Sequence, residues 1–351
     1  MSSFASLLIG VDVGSTTTSG GLVTPAGEVV WSTEVATHRG GPGTALDTIL
    51  GVVDELLERA AGCRCHVEGI GIGLPGVVDV EGGTMRKGIH LVPELTGSPI
   101  VESVRGRSRL PTFIDNDVNA LALAEWTWGL ARGATSMVML ALGTGVGGAV
   151  ILDGRLLRGR SGYAGEFGHV SVKLDGRPCV CGTRGCLAAY VAGFGIAMEA
   201  RRRGDIADGH MAAEIDYGSD AATVFRAAEG GDAGARALVD EACLALGAAI
   251  GGMATGLNPD VIVITGGIVK SLVPFESQIT RHAADYALSG ALEDARVHLA
   301  PGHKSQTVRG GAALVLYEGA RRPGAVAPVP SRAGRAAPED TRPPNLGTLE
   351  E

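Results

Sequence analysis

The chain has no excess of positive charge, no basic leader, no long apolar run and no phosphate loop ending in Gly-Lys-Ser/Thr. Each of these absences removes a class of protein. Thirty Lys and Arg stand against 38 Asp and Glu, a formal net charge of −8. General nucleic-acid binders are usually basic, so no nucleic-acid partner is expected. Met1 to Ser6 lack the basic segment that opens a signal peptide. The short apolar run Leu7-Leu8-Ile9-Gly10-Val11 is followed at once by Asp12, which reads as a buried strand and not as a targeting segment. No stretch approaches the length of a transmembrane helix, so no membrane partner is expected and the chain reads as a soluble cytoplasmic protein. In that reducing compartment, clustered cysteines favour a metal over a disulfide.

With 351 residues the chain is too long for one ordinary core and suits two domains. Apolar residues make up 45% of it, enough for sizeable cores, and its 55 glycines call for many tight turns and close backbone approaches. Three strands joined by tight turns are expected over 7–13, 19–23 and 29–35, with Thr24-Pro25-Ala26-Gly27-Glu28 as a turn. An amphipathic helix over 44–61 places Leu46, Ile49, Leu50, Val53, Leu56 and Leu57 on one stripe. A buried strand over 67–74 ends in Pro75-Gly76, and another over 111–114 runs into Asp115-Asn116-Asp117, with a helix starting near Val118. The pattern then restarts with strands over 136–142 and 147–152, a long Ala-rich helix over 234–255, a strand over 261–264 and a last helix over 308–321. The recurrence of the strand order suggests two similar domains facing one another.

Ten residues downstream of His169 stand three cysteines, in Cys179-Val-Cys181-Gly-Thr-Arg-Gly-Cys186. One imidazole and three thiolates make a ligand set for a tetrahedral zinc ion, which here would be structural, with no open position for water. Cys63 and Cys65 flank Arg64 without further candidate ligands, Cys243 sits in an Ala/Leu-rich helical pattern, and all three read as packed or partly exposed thiols. Asp12-Val13-Gly14-Ser15-Thr16-Thr17 joins two expected strands, and its amides and hydroxyls suit phosphate oxygens while the carboxylate suits Mg²⁺ through water. Gly143-Thr144-Gly145 repeats that chemistry, and Gly266-Gly267 would let a flat adenine ring approach the backbone. One such loop is weak evidence; three, each after a strand, are not.

This order is similar to that of the sugar kinase, heat-shock and actin superfamily. Within it the chain resembles the ROK family of sugar kinases and related repressors. The resemblance rests on Asp12-Val13-Gly14-Ser15-Thr16, Gly73-Leu74-Pro75-Gly76-Val77-Val78-Asp79, Asn116-Asp117-Val118-Asn119-Ala120, Leu142-Gly143-Thr144-Gly145-Val146-Gly147, Glu166-Phe167-Gly168-His169 and the cysteine loop. It implies an α/β fold of two actin- or ribonuclease H-like domains with a cleft between them. Their spans would be 1–118, completed by the helix at 308–321, and 119–307, with the zinc loop at 166–188. Residues 322–351, rich in Pro, Arg, Ala and Glu, read as a disordered tail.

The resemblance further implies an ATP-dependent kinase acting on the hydroxymethyl of a sugar or sugar-like cyclitol, with Mg²⁺ carried by ATP and the chain forming a homodimer. Asp117 would be the general base. From position alone a helix cap is an equal reading. Gly76, Asn116, Glu166 and His169 would contact the sugar, and Asp12, Gly14, Ser15, Thr16, Thr17, Gly143, Thr144, Gly145, Gly266 and Gly267 the nucleotide. His169, Cys179, Cys181 and Cys186 would bind zinc.

Two departures lie on the acceptor side. The family's last cysteine is normally followed by x-Glu, whereas here Cys186-Leu187-Ala188 has no carboxylate. The family's Asn-Leu-x-Gly-Trp pattern is replaced by a run through His90 and Glu94 to Gly97, making those two candidate contacts for a different ligand. A changed acceptor, such as a C7-cyclitol of the valienone or valiolone type in secondary metabolism, is the expectation. Glucose and amino sugars (kanosamine, N-acetylmannosamine) are the alternative. A repressor of the same family would carry a winged helix-turn-helix of roughly 60–80 residues ahead of the first phosphate loop. Here that loop starts near residue 10, and the chain is acidic.

Overall fold

The computed structural model describes residues 6–88, 92–204, 217–302 and 304–321. His90 and the tail at 322–351 lie outside them, so the expectations placed there have no structural counterpart. The chain opens with β1 (Ser6–Val13), β2 (Thr17–Val23), β3 (Val29–Ala36), α1 (Ala45–Gly62) and β4 (His66–Leu74). A separate hairpin of β5 (Gly76–Asp79) and β6 (Thr84–Gly88) precedes α2 (Ile100–Ser108), β7 (Thr112–Asn116) and α3 (Asp117–Trp128). The first sheet has the order β3-β2-β1-β4-β7. Its β1–β2 and β2–β3 pairs are antiparallel, and β1–β4 and β4–β7 are parallel.

The plan then repeats. Strands β8 (Met137–Leu142), β9 (Val146–Leu152) and β10 (Arg155–Leu156) are followed by α4 (Ala188–Val191), α5 (Gly193–Arg203), α6 (Tyr217–Glu229) and α7 (Ala233–Leu257). After these come β11 (Val261–Gly266), α8 (Val269–Leu272), α9 (Glu276–Asp285), α10 (Ser289–Asp294), β12 (Arg296–Pro301) and α11 (Lys304–Ala320). The second sheet runs β10-β9-β8-β11-β12, with antiparallel and parallel pairs in the same places as in the first. The recurrence read from the strand pattern is therefore a recurrence of topology.

Helix α1 covers one face of the first sheet with Ile49, Val52, Val53 and Leu56, the i, i+3, i+4, i+7 stripe of an amphipathic helix. Leu46, Leu50 and Leu57, placed on that stripe from the sequence, are only partly buried. Helix α7 is long and apolar enough to cross a membrane, which corrects the reading that no stretch approaches that length. Its most apolar window is 61% buried inside the protein, against the second sheet, so it is accounted for as a core helix.

Helices α3 and α11 lie between the two sheets. On α11, Val308, Ala312 and Val315 pack with Leu8 and Val23 of the first sheet. Ala313, Leu314 and Tyr317 pack with α3 and with Met137, Met139, Val261 and Val263 of the second. Contact with the first sheet is backbone to backbone: a Cβ on Gly71 would fall 1.9 Å from the Gly311 carbonyl oxygen, and one on Gly10 1.9 Å from that of Val308. No larger residue fits at those crossings. The 118/119 boundary expected from sequence falls in the first turn of α3, a helix that both halves use.

Two cysteine readings change or gain detail. The structure joins Cys63 and Cys65 in a disulfide, where the sequence reads as two thiols. Cys243 is a free thiol buried in the second core.

Candidate active site

Parallel strands β1, β4 and β7 end on one edge of the first sheet, and in register: Asp12 is opposite Gly73, and Gly73 opposite Asp115. A Cβ on Gly73 would lie 3.2 Å from Asp117 Cα and 3.5 Å from Asp12 Oδ1. The bare glycine is thus the gap across which the Asp12 and Asp117 carboxylates meet. Burial raises the Asp12 carboxyl to about 6, against a hydrogen bond from the Thr307 hydroxyl. Asp117 is raised further, to about 7, first by burial and then by the charge of Asp12, with Glu166 adding to it. The backbone N–H of Val118, donating to Asp117 Oδ1 at 2.9 Å, pulls the other way. Asp117 keeps part of its surface open even so. A carboxylate titrating near neutrality suits proton abstraction from an alcohol.

The cap of α3 is Asn116, not Asp117. Its Oδ1 accepts from Val118 N at 2.9 Å and Asn119 N at 3.1 Å, and its Nδ2 donates to the Gly76 carbonyl at 3.1 Å. Only one Asn116 N–H therefore remains for a ligand, and the residue's first role is to hold the strand-to-helix turn that aims Asp117. Gly76 itself has φ +109°, a conformation glycine adopts without strain.

The loop after β1 is a tight turn, with Gly14 N donating to Thr17 O at 2.9 Å. Thr37 braces it: its N donates to Thr16 O at 2.9 Å and its hydroxyl to Gly14 O at 2.7 Å. Ser15 is half-buried, and Thr16 and Thr17 are exposed. In the second loop Gly143 N donates to Gly145 O at 2.9 Å. The first amides of α5 grip that loop from behind, Gly193 N on Gly143 O at 2.9 Å and Phe194 N on Thr144 O at 3.2 Å. The third loop packs on the base of the second, with Ile268 N donating to Leu142 O at 3.1 Å. Gly143, Gly145 and Gly267 have open space where a side chain would stand.

Glu166 and His169 arrive on a segment that touches both halves. A Cβ on Gly162 would meet Val77 Cγ1 at 2.9 Å, on the small hairpin, and one on Gly148 would meet Gly165 O at 2.4 Å, on β9. Val118, beside Asp117, lies over Gly147 at the start of β9. The structure therefore brings Asp12, Gly73, Asp117 and Glu166 together where the sheets face. Glu94 instead stands 3.3 Å from His38 Nδ1.

Behind this edge the ligand atoms of His169, Cys179, Cys181 and Cys186 all lie within 4.8 Å of one another. His169 Nδ1 is 3.7 Å from Cys179 Sγ, and Cys181 Sγ is 3.7 Å from Cys186 Sγ. A tetrahedron of thiolates at zinc bond lengths has edges of about 3.7 Å, so the donor set fits the ion in both chemistry and spacing. With Nδ1 turned to the thiols, the other ring nitrogen of His169 is left for a ligand. Thr183 Oγ1 touches Cys186 Sγ at 2.9 Å and Cys181 Sγ at 3.1 Å.

Sequence reasoning missed Thr37, Thr307 and Arg158, each of which supports a motif from a distant part of the chain. Arg158 Nε donates to Asp115 Oδ2 at 2.7 Å. Nothing in local spacing marks them.

The model of the ROK family matches residues 8–318. A glucokinase of Halalkalibacterium halodurans is 35% identical over 318 residues, covering 88% of this chain and 95% of that one. An N-acetyl-D-glucosamine kinase of Salmonella typhimurium is 31% identical, over 82% of this chain and 93% of its own. Among solved structures, a ROK family glucokinase from Streptomyces griseus in complex with glucose and AMPPNP superposes with a TM-score of 0.68 at 28% identity, over 88% of this chain and 98% of that one. The chain belongs to the ROK family.

Proposed function

We propose that this chain is an ATP-dependent sugar phosphotransferase that takes the proton of a primary hydroxyl with Asp117. The observation that carries this reading is the Asp117 carboxylate, raised to about 7 beside Asp12, at an edge shared with the glycine loops. Phosphoryl transfer to an alcohol needs positioning, charge neutralisation and a proton acceptor. ATP brings Mg²⁺, for which Asp12 is the nearest carboxylate holder, and the loops at 14–17, 143–145 and 266–267 are the nucleotide contacts. Glu166, His169, Gly76 and the remaining Asn116 N–H are the acceptor contacts. The cysteine cluster takes zinc as a structural ion that orients His169. The two topologically equal halves are the two ATPase-like units, joined through α3 and α11, and the family implies a homodimer.

Relatives named glucokinase and N-acetyl-D-glucosamine kinase support a hexose or amino-sugar acceptor. A second reading, a cyclitol of the C7 type, is favoured by one observation. Ala188 stands where the family carries glutamate, and its methyl is 1% exposed among Leu187, Ala189 and Tyr190. A site lacking that carboxylate loses an acceptor for hydroxyls near a hemiacetal, and a carbocycle has no hemiacetal to bind.

An ATP-consumption panel of glucose, N-acetylglucosamine, N-acetylmannosamine, kanosamine and valienone tests both. Glucose winning by orders of magnitude in kcat/KM would sink the cyclitol reading, and no turnover with any member would sink the kinase assignment. Ala188→Glu should move preference toward glucose.

A further inference from the structure

Arg158 lies outside the motifs that point to the function, yet it ties both halves of the molecule to the strand that carries the base. It follows β10 on the edge of the second sheet and reaches back to the first. Its Nε donates to Asp115 Oδ2 at 2.7 Å, at the end of β7, and its Nη2 to Glu318 Oε1 at 2.6 Å, on α11. The guanidinium stands 5.8 Å from the centre of the Tyr317 ring, whose hydroxyl accepts from Leu156 N at 2.8 Å. One side chain thus joins the second sheet's edge, the first sheet's β7 and the helix between them.

At its far end, Asp115 is 2% exposed and spends its other oxygen on the turn that presents the base. Oδ1 accepts from Asn116 N at 2.7 Å and from Asn119 Nδ2 at 2.9 Å. Those two residues flank Asp117, and Asn116 is also the α3 cap and the anchor of Gly76. At its near end, Arg158 begins the segment that delivers Glu166 and His169. Its carbonyl accepts from Ala164 N at 3.2 Å, closing the turn before Glu166. In this pair burial pushes the Asp115 carboxyl up against the charge of Arg158, and the charges of Asp115 and Glu318 overcome burial to push the Arg158 guanidinium up. We take the pair as ionised, because a guanidinium keeps its proton and a fixed cation at 2.7 Å outweighs the loss of water around one carboxylate.

We propose that Arg158 is a positioning residue that sets the spacing across the acceptor pocket, fixing the segment of Glu166 and His169 against the strand that presents Asp117. This rests on the reading of Asp117 and Glu166 as the two sides of that pocket. A purely structural ion pair would share the geometry and differ in what its loss does. Arg158→Met alone leaves the Asp115 charge buried without a cation and will cost stability whatever the residue's role. The double variant Arg158→Met/Asp115→Asn removes that charge, while the amide oxygen it introduces can still accept from Asn116 and Asn119.

The double variant should recover most of the thermal stability lost in the single one. It should nevertheless show acceptor KM raised roughly 10-fold and kcat/KM lowered on the order of 10²-fold, the scale of a misplaced reacting group, with ATP KM nearly unchanged. Arg158→Lys, which keeps the charge but holds one partner at a time, should fall between. Amide hydrogen exchange over 159–166 should quicken in both. Wild-type acceptor KM and wild-type exchange over 159–166 in Arg158→Lys and in the double variant would overturn the proposal. If the unaltered protein turns over no sugar, the kinase reading fails while the exchange arm still decides the role of Arg158.

Discussion

Asp117 owes its chemistry to what surrounds it. An aspartate in water is mostly ionised at neutral pH and a weak base; here burial, Asp12 and Glu166 hold the proton on until about 7. Because the carboxyl titrates higher folded than unfolded, its own contribution favours the folded state fully below pH 3.8 and is lost as pH rises through about 7. Asp117→Asn, a permanent neutral mimic, should therefore be more stable than the unaltered protein at pH 8, by up to about 4 kcal/mol and with a higher Tm, the gap closing toward pH 4. The same variant should lose roughly 10²–10⁴ in kcat while sugar binding, followed by calorimetry, persists. An unchanged kcat would refute the assignment of the base. In the unaltered enzyme the acid limb of kcat/KM should lie near pH 7. Much of this was legible from Asn116-Asp117 at a strand-to-helix junction. The division of labour was not: that Asn116 takes the cap, with Asp117 sharing only the Val118 N–H, depends on the side-chain rotamers of both. That Asp12 faces Asp117 depends on the β1–β4–β7 register, through the bare Gly73.

Among the elements, the cysteine loop was the most legible, since four ligands of borderline softness lie close together in the sequence and the structure gathers all four. Its anchorage could not be read there. Arg177 donates to the Ala189 carbonyl at 3.0 Å, sits 4.5 Å from the centre of the Tyr190 ring and pairs with Glu241 and Glu199, partners supplied by α4, α5 and α7. The loop is thus tied to the second core at one end and to His169 at the other. Metal analysis should find about one zinc per chain, and Cys186→Ser should lower that content. The same substitution should raise acceptor KM well above any change in ATP KM, because His169 loses its fixed ring orientation. Equal effects on both would argue that the cluster supports the fold alone. Helix α11 is the contrasting case, expected from its apolar run but silent about its crossings. Gly311→Val, which drives a side chain into Gly71 O, Val11 N and Gly10 Cα, should destabilise by about 3 kcal/mol in urea titration.

At the scale of the whole molecule, the repeated strand order was visible in the sequence and the family resemblance gave the last helix to the first half, where Val308, Ala312 and Val315 pack; that α3 and α11 also pack on the second sheet was not visible. Hydrophobic periodicity reports that a helix has an apolar face; it does not say which of two sheets that face will meet. Both helices present apolar residues to more than one side, so the boundary drawn at 118/119 cut through a common element. The contact of Gly10 and Gly71 with Val308 and Gly311 has a further consequence for how the protein is made. The strands of the first half leave the ribosome early and the helix that covers Leu8 and Val23 leaves late, after the entire second half. Until then the face of the nascent first sheet around Leu8 and Val23 stands uncovered, the kind of transient apolar exposure that favours aggregation. A chain ended at residue 302 should accordingly bind a hydrophobic dye and precipitate. Supplying residues 304–321 as a separate peptide should restore solubility in part, and a fully soluble, dye-silent truncation would show that the first half closes without α11.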